Sequence, residues 1–415
     1  MPDTHLAGAP EDAPAPATRR PLRALLAGGG TAGHVNPLLA TAAALRDPAA
    51  GGHGCAELLV LGTREGLEDR LVPEAGYELA YVPRVPMPRR PTGDLFMLPR
   101  RLQKAVAAAG EAIERVDAQV VVGFGGFVST PAYLAARHAG VPVVIHEQNA
   151  RPGLANRLGA GWAAAVALTF ASTRLKASKG RTEVTGLPLR PAIGALVAER
   201  SDAEGAARAR SRGAAALGLD PRAPTLLITG GSLGAQHLNE VIASSLARLP
   251  ADLQVLHLTG RDKDGPVRAA LERTVAEGEC APDLADRYHV LDYLSAMERA
   301  YACADGVICR SGAGTVAELT ALGLPALYVP LPIGNGEQRL NAADVVAAGG
   351  GRLVADARLT AADVVDFTAL LTRPAERGAM AAAAASTGVR DGARRLADLI
   401  RTVAREGCPS PRRKA

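Results

Sequence analysis

Two doubly wound α/β domains of Rossmann type are what this sequence predicts, on three observations. Short, almost wholly apolar runs recur along the chain, separated by longer Ala- and Leu-rich stretches, the pattern of buried parallel strands alternating with helices. Several of these runs end in glycine-rich loops that open a helix. The order strand, glycine loop, helix then restarts: LRALLAGGGTAGHVNPLLATAAALR in the first half is answered by PTLLITGGSLGAQHLNEVIASSLA in the second.

Taken in order, residues 1–20 are Pro/Ala-rich, lack the apolar stretch of a secretion signal and read as a disordered tail. Strands are expected at Leu22–Ala27, Leu58–Leu61, Val120–Val122, Val141–Ile145 and Ala164–Leu168 in the first half. In the second they are expected at Thr225–Thr229, Val255–Leu258, Gly306–Cys309 and Pro325–Val329. The first domain should run over 21–190 and end at GLPLRP, before the Arg/Ala/Ser/Gly-rich stretch 194–216; the second should cover 191–385. A helical segment within 386–407 is expected to pack back on the first domain, followed by a disordered tail at 408–415.

Composition narrows the function. At roughly 150 residues per domain, 415 residues suit two or three domains. Apolar residues are 48% but aromatics only 3%, so Ala, Val and Leu must fill the cores. Basic and acidic residues number 47 and 42, a net +5, which is mild for a nucleic-acid binder but suits a phosphate or an anionic lipid. Five scattered Cys without metal spacing read as reduced thiols. No apolar run reaches the roughly 18 residues of a membrane span, so the expected setting is cytosolic with peripheral membrane contact.

The chemistry-bearing residues cluster at expected strand ends. Gly28, Gly30 and Gly33 satisfy G-x-G-x-x-G, either a close-approach loop for a phosphate or sugar or a tight turn without ligand. A dinucleotide fingerprint would also need an acidic residue at the end of the second strand, where only Glu65 is near. His34 stands at the loop mouth, as a general base for an incoming hydroxyl or as a cap of its own helix. Gly123–Pro131, with Gly125 and Gly126, forms a second such loop, and His146-Glu147-Gln148-Asn149 ends the next strand. In the second half, Gly230-Gly231-Ser232 is another phosphate-type loop. Arg310 followed by Gly312–Thr315 makes an anion site at a helix start, and Glu318 suits a vicinal diol or answers the helix dipole. Glu337 and Gln338 could read sugar hydroxyls or belong to an ordinary polar loop. Asp262-Lys263-Asp264 matches the metal string D-x-D, which is discounted because it lies in a solvated loop and arises easily by chance. Between Arg84 and Lys104, Leu95, Phe96 and Leu98 interleave with Arg100 and Arg101, either a patch for anionic lipid or a half-buried loop and helix.

Together these residues resemble a known family. GGGTAGHVNP, GFGGFVSTP, IHEQNA, GLPLRP, GGSLGAQHLN, CRSGAGTVAELTALGLPALYVPLP and EQRLNA stand in the order of the MurG family of bacterial GlcNAc transferases, from about Leu22 to Ile400. The resemblance implies the GT-B glycosyltransferase fold, with two Rossmann-like domains facing a cleft. It also implies inverting, metal-independent transfer of GlcNAc from UDP-GlcNAc to the C4 hydroxyl of MurNAc-pentapeptide on undecaprenyl pyrophosphate (lipid I). The product is lipid II, at the cytoplasmic face of the cell membrane. Expected partners are UDP-GlcNAc, lipid I, an anionic membrane surface and proteins of cell-wall synthesis and division, with no nucleic acid, metal or cofactor.

By the same resemblance Leu294 meets the uracil, Glu318 the ribose, and Ser232, Arg310, Ala313, Gly314 and Thr315 the diphosphate. Arg190 is a further donor contact, and Gln338 reads GlcNAc with help from Thr31 and Asn149. His34 and Glu147 are the catalytic candidates, with Asn156 and the loops at Gly30, Gly33, Gly125 and Gly126 on the acceptor side. Two positions depart from the family pattern: Glu337, where relatives often carry Gln, and Ala32, where Gly is usual. Other readings are a UDP-GlcNAc 2-epimerase of the same architecture, an NAD-type oxidoreductase and a non-catalytic nucleotide-sugar sensor. The oxidoreductase leaves Ser232, Arg310 and Glu318 without a task.

Overall fold

The computed structural model describes residues 21–50, 56–85, 98–231, 236–333 and 335–407. The expected tails, and with them Leu95, Phe96 and Ser232, lie outside the described residues. The first sheet is formed by β1 (Arg23–Ala27), β2 (Glu57–Gly62), β3 (Glu78–Tyr81), β4 (Val120–Gly123), β5 (Val143–Glu147), β6 (Ala165–Leu168) and β7 (Arg181–Val184). The second is formed by β8 (Thr225–Thr229), β9 (Gln254–Leu258), β10 (Tyr288–Leu291), β11 (Gly306–Cys309), β12 (Ala326–Tyr328) and β13 (Gly351–Leu353). Their orders are β3-β2-β1-β4-β5-β6-β7 and β10-β9-β8-β11-β12-β13, and every pairing is parallel.

The central strands are apolar throughout because both of their faces are buried. Leu25, Leu59, Val121 and Ile145 pack on one side of the first sheet, and Leu26, Val60, Val122 and Val144 on the other. The same alternation divides Leu227, Leu256 and Val307 from Leu226, Val255 and Ile308 in the second sheet. The four strands without an expectation from sequence, β3, β7, β10 and β13, are the four sheet edges. An edge strand buries less, and β7 is exposed along its whole length, so no apolar run marks it.

In each sheet the strand order reverses beside the first strand, between β1 and β4 and between β8 and β11. The crevice at such a point, outside the carboxyl strand ends, is where open α/β sheets bind ligands. All four central glycine-rich loops named above start from these strands.

The chain crosses between the domains twice. The first crossing leads to helices Pro191–Glu199 and Ala203–Leu217, whose Ile193, Leu196 and Ala209 share a core with Ala300 and Cys303 of the second domain. The second leads to helix Gly392–Gly407, which returns Leu396, Ile400 and Val403 to the first-domain core beside Leu26, Leu38 and Val122. The crossings touch at Gly186, where φ is +76° and a Cβ would lie 2.4 Å from Val389 Cβ. Only glycine fits there. The His146 ring accompanies this contact, with Nε2 3.0 Å from the Gly186 carbonyl oxygen.

Among the described residues no helix is long and apolar enough to cross a membrane. Leu98, expected in a lipid-facing patch, instead begins helix Leu98–Arg115 and packs partly buried on the first-domain core with Leu102. Arg100 on the same turn is exposed and Arg101 half-buried.

Candidate active site

On the first-domain side, the loop after β1 folds over a buried carboxylate. Glu68, at the start of helix Glu68–Glu74, is 0% exposed. Its Oε1 accepts from the Thr63 N–H (2.9 Å) and hydroxyl (2.8 Å), and its Oε2 accepts from the Gly30 N–H at 2.8 Å. The first glycine loop is therefore not an open phosphate cradle, because the Gly30 amide is committed to an acid beneath it. The loop after β4 rests on the first: Gly125 and Gly126 have φ of +89° and +84°, and a Cβ on Gly126 would come 2.6 Å from the Gly29 oxygen. Ser129 pins this second loop, accepting from the Gly125 N–H at 2.9 Å.

His34 sits on the first turn of helix Ala32–Arg46, half-buried, with Nδ1 3.1 Å from the Gly29 oxygen and 3.2 Å from Thr31 Oγ1. A Cβ on Gly125 would lie 3.1 Å from its Nε2. Burial lowers its pKa from the ordinary value, against the Gly29 hydrogen bond and the Glu68 charge, which raise it. A neutral imidazole at neutral pH is the form a general base requires.

Glu147 has a different position from that expected of a catalytic group. It is 2% exposed and accepts from the N–H groups of Asn149 and Gly153, both at 3.0 Å, and from Asn156 Nδ2 at 2.9 Å. Asn156 in turn accepts from the Tyr133 hydroxyl at 2.8 Å. Burial pushes the Glu147 carboxyl upward, against these hydrogen bonds. Glu147 and Asn156 shape the loop that presents Asn149; neither lines the cleft.

On the second-domain side, Arg310, Gly312, Ala313, Gly314 and Thr315 form the mouth of helix Ala313–Leu322. Arg310 was expected to face the diphosphate. It lines the cleft while 8% exposed and ion-paired with Asp356, and its Nη1 donates to the Val329 oxygen at 3.1 Å. Its buried Nε has no partner. Glu318 and Arg190, both expected to meet the donor, hold each other: Arg190 Nε and Nη2 donate to the two Glu318 oxygens at 2.8 and 3.1 Å. Gln338 lines the cleft while its Oε1 accepts from the Leu331 N–H at 3.0 Å. Glu337 also lines it and accepts from the Asn335 N–H at 3.2 Å.

The domains meet through Asn341, which is 1% exposed. Its Oδ1 accepts from the Ala150 N–H at 2.9 Å, and its Nδ2 donates to the Ser311 oxygen (3.2 Å) and Asn149 Oδ1 (3.3 Å). Between the domains lies a cleft of about 590 Å³ bordered by Thr31, Gly33, His34, Asn149, Arg190 and the 312–315 turn. An adjoining cavity of about 420 Å³ shares Arg190, Arg310, Thr315 and Glu318 and extends to Leu294. On the other side a smaller cavity of about 220 Å³ shares Thr31 and His34 and reaches Arg84 and Phe127. His34 thus stands on the wall shared by the interdomain cleft and the smaller first-domain cavity.

Glu68, Asn341 and Asp356 were given no role in the sequence reading, because each bonds a residue remote in the chain. Asp262 and Asp264 do not form a metal pair: Asp264 is bound to Arg268 at 2.8 Å, and Asp262 lines a separate cavity between helices Gln236–Ala243 and Gly265–Ala276. Among the described residues no group of three or more His, Cys, Asp or Glu is arranged to hold a metal.

Two parallel-sheet domains that face each other across a cleft, with helix starts from one and a histidine-bearing glycine loop from the other, define a GT-B-type glycosyltransferase architecture. Residues 24–168 match the N-terminal domain of glycosyltransferase family 28, and residues 225–396 match its C-terminal domain. A UDP-N-acetylglucosamine–N-acetylmuramyl-(pentapeptide) pyrophosphoryl-undecaprenol N-acetylglucosamine transferase of Clavibacter sepedonicus is 49% identical over 94% of this chain and 99% of its own. A Bifidobacterium longum protein of the same name is 52% identical over 81% of this chain and 86% of its own. The crystal structure of Acinetobacter baumannii MurG superposes with a TM-score of 0.71 at 27% identity, covering 92% of this chain and all 100% of that one. The chain belongs to the MurG family of glycosyltransferases. A UDP-GlcNAc 2-epimerase from Neisseria meningitidis, at 16% identity and TM-score 0.62, shares the fold alone.

Proposed function

We propose that this enzyme transfers GlcNAc from UDP-GlcNAc to the C4 hydroxyl of MurNAc-pentapeptide on undecaprenyl pyrophosphate, producing lipid II with inversion at the sugar. The observation that carries this is the position of His34, on the wall shared by the interdomain cleft and the smaller first-domain cavity. UDP-GlcNAc occupies the cleft, with uracil toward Leu294, ribose on Glu318 and diphosphate at the 313–315 turn beside Arg310. Arg190 fixes the Glu318 carboxylate. Gln338, Thr31 and Asn149 read the sugar hydroxyls. The acceptor hydroxyl oxygen forms the new bond to the anomeric carbon as the bond to the UDP oxygen breaks. Its proton passes to His34 Nε2, and the bonding electron pair leaves on the diphosphate. Helix N–H groups and Arg310 stabilise that departing charge, so this reading assigns no step to a metal. Glu147 acts indirectly, by shaping the Asn149 loop. The enzyme works peripherally on the cytoplasmic face of the membrane, and exposed basic residues such as Arg100 meet anionic lipid.

The test follows radiolabelled GlcNAc from UDP-GlcNAc in the presence of a short-chain lipid I analogue. Label in the disaccharide lipid is expected. Label in free ManNAc would make the chain an epimerase, and no product would leave only nucleotide-sugar binding.

A further inference from the structure

One peptide unit separates the buried carboxylate of Glu68 from the imidazole of His34, and both of its polar ends are engaged. The Gly30 N–H donates to Glu68 Oε2 at 2.8 Å. The carbonyl of the same peptide, on Gly29, lies 3.1 Å from His34 Nδ1. A carbonyl only accepts, so this contact is a hydrogen bond when Nδ1 carries the proton and Nε2 is the basic nitrogen, whereas the Thr31 hydroxyl, 3.2 Å from Nδ1, could donate only to the other tautomer. We propose that Glu68 is a positioning residue that acts on His34 through the Gly29–Gly30 peptide, fixing its tautomer and supporting the imidazolium formed when it takes the acceptor proton. This rests on the reading of His34 as the base.

The geometry fixes the carboxylate in place. Thr63 holds Glu68 Oε1 through both its N–H and its hydroxyl, so the carboxylate cannot turn away. Cβ atoms on Gly29 and Gly66 would fall 2.3 and 2.0 Å from the Glu68 oxygens. These glycines are what admit an acid under the loop, and Gly126 closes over the Gly29 oxygen from the other side. With its N–H toward the anion and its C=O toward the imidazole, the peptide dipole is aligned with the charge that develops. Hydrogen bonds linked in this way polarise one another. The Glu68 charge and the Gly29 hydrogen bond also both raise the basicity that burial of His34 lowers. The other charged groups facing His34 are Glu65 and Arg84 on the small cavity, and Arg190, Arg310, Glu318 and Glu337 on the cleft.

The test is Glu68→Gln, which keeps the size of the side chain and removes its charge. Loss of the anion disfavours the imidazolium, so the acid limb of the kcat profile should move to lower pH. Turnover on the plateau should fall about 10- to 100-fold, the range seen when the outer-shell partner of a metal-bound histidine is removed. KM for UDP-GlcNAc should not change. An unmoved acid limb would leave Glu68 a purely structural group and overturn the relay. Should the variant fail to fold, nitrogen NMR of His34 in the unaltered enzyme decides: a proton on Nδ1 is required, and one on Nε2 refutes the inference. Normal turnover in His34→Ala would instead remove the base reading, while the NMR titration of His34 in Glu68→Gln would still report whether the relay exists.

Discussion

Glu318→Ala should abolish the preference of this enzyme for a nucleotide that carries a 2′-hydroxyl. An ionised carboxylate offers about four lone-pair positions. Arg190 occupies two, one on each oxygen, at 2.8 and 3.1 Å. The Tyr301 hydroxyl donates to the same carboxylate and takes a third, and the position that remains can accept from one ribose hydroxyl. A hydrogen bond to a charged group contributes about 1.5–3 kcal/mol, so loss of the 2′-hydroxyl should weaken binding about 10- to 100-fold in the unaltered enzyme. Removal of Glu318 also releases the Arg190 guanidinium, but that side chain is 33% exposed and water can meet it. The fold should therefore survive, and the ratio of two affinities cancels any general disturbance of the site. Calorimetric titration with UDP and with 2′-deoxy-UDP gives that ratio directly. The unaltered enzyme should discriminate, and Glu318→Ala should bind the two nucleotides alike. A variant that still discriminates would show that the ribose lies elsewhere, and the assignment of the donor to the second domain would fall with it.

His34→Ala should lower turnover by about 10²–10⁴-fold, the usual contribution of a general base, with UDP-GlcNAc affinity by calorimetry nearly unchanged. Because burial lowers the His34 pKa, the acid limb of kcat should lie below the ordinary histidine value, with no further gain above neutrality. Asp356→Asn leaves Arg310 charged and about nine-tenths buried without its counter-ion, which should destabilise the second domain by about 3 kcal/mol in urea unfolding. Gly126→Ala places a Cβ at a φ of +84° and 2.6 Å from the Gly29 oxygen, so it should cost about 1–3 kcal/mol and displace the two glycine loops, visible as lost turnover. Stability should also fall on acidification: burial lowers His146 from 6.5 to about 4, so the unfolded chain takes up its proton first. The expected loss from this group is about 1.4 kcal/mol per pH unit between these limits, checked by urea midpoints at pH 7 and pH 5.

What could be read before folding, and what could not, divides along a physical line. The central strands declared themselves because burial on both faces makes every position apolar; the edge strands β3, β7, β10 and β13 are partly solvated and carry no such mark. The glycine loops were visible because close backbone approach and left-handed φ leave few residue choices, as at Gly125 and Gly126. Side-chain partnership was not visible. Nothing in LEDR announces that Glu68 will be sealed beneath a loop formed 38 residues earlier, nor in EQRLNA that Asn341 will join residues 191 and 30 positions away. Asp356 likewise reaches Arg310 from 46 residues away, whereas the partners of Glu147 lie within nine residues of it and escaped notice because an Asn in a short loop does not show where its amide will point.

The last helix changes how this enzyme can be taken apart. Expression of residues 21–190 alone would strip Leu396, Ile400 and Val403 from the face formed by Leu26, Leu38 and Val122, and the isolated lobe should aggregate. Supplying 392–407 as a separate peptide, or splicing it ahead of residue 21, should restore solubility. A fusion partner joined after residue 407 would accordingly be tethered to the first domain, although helix Gly392–Gly407 follows the second domain in the sequence.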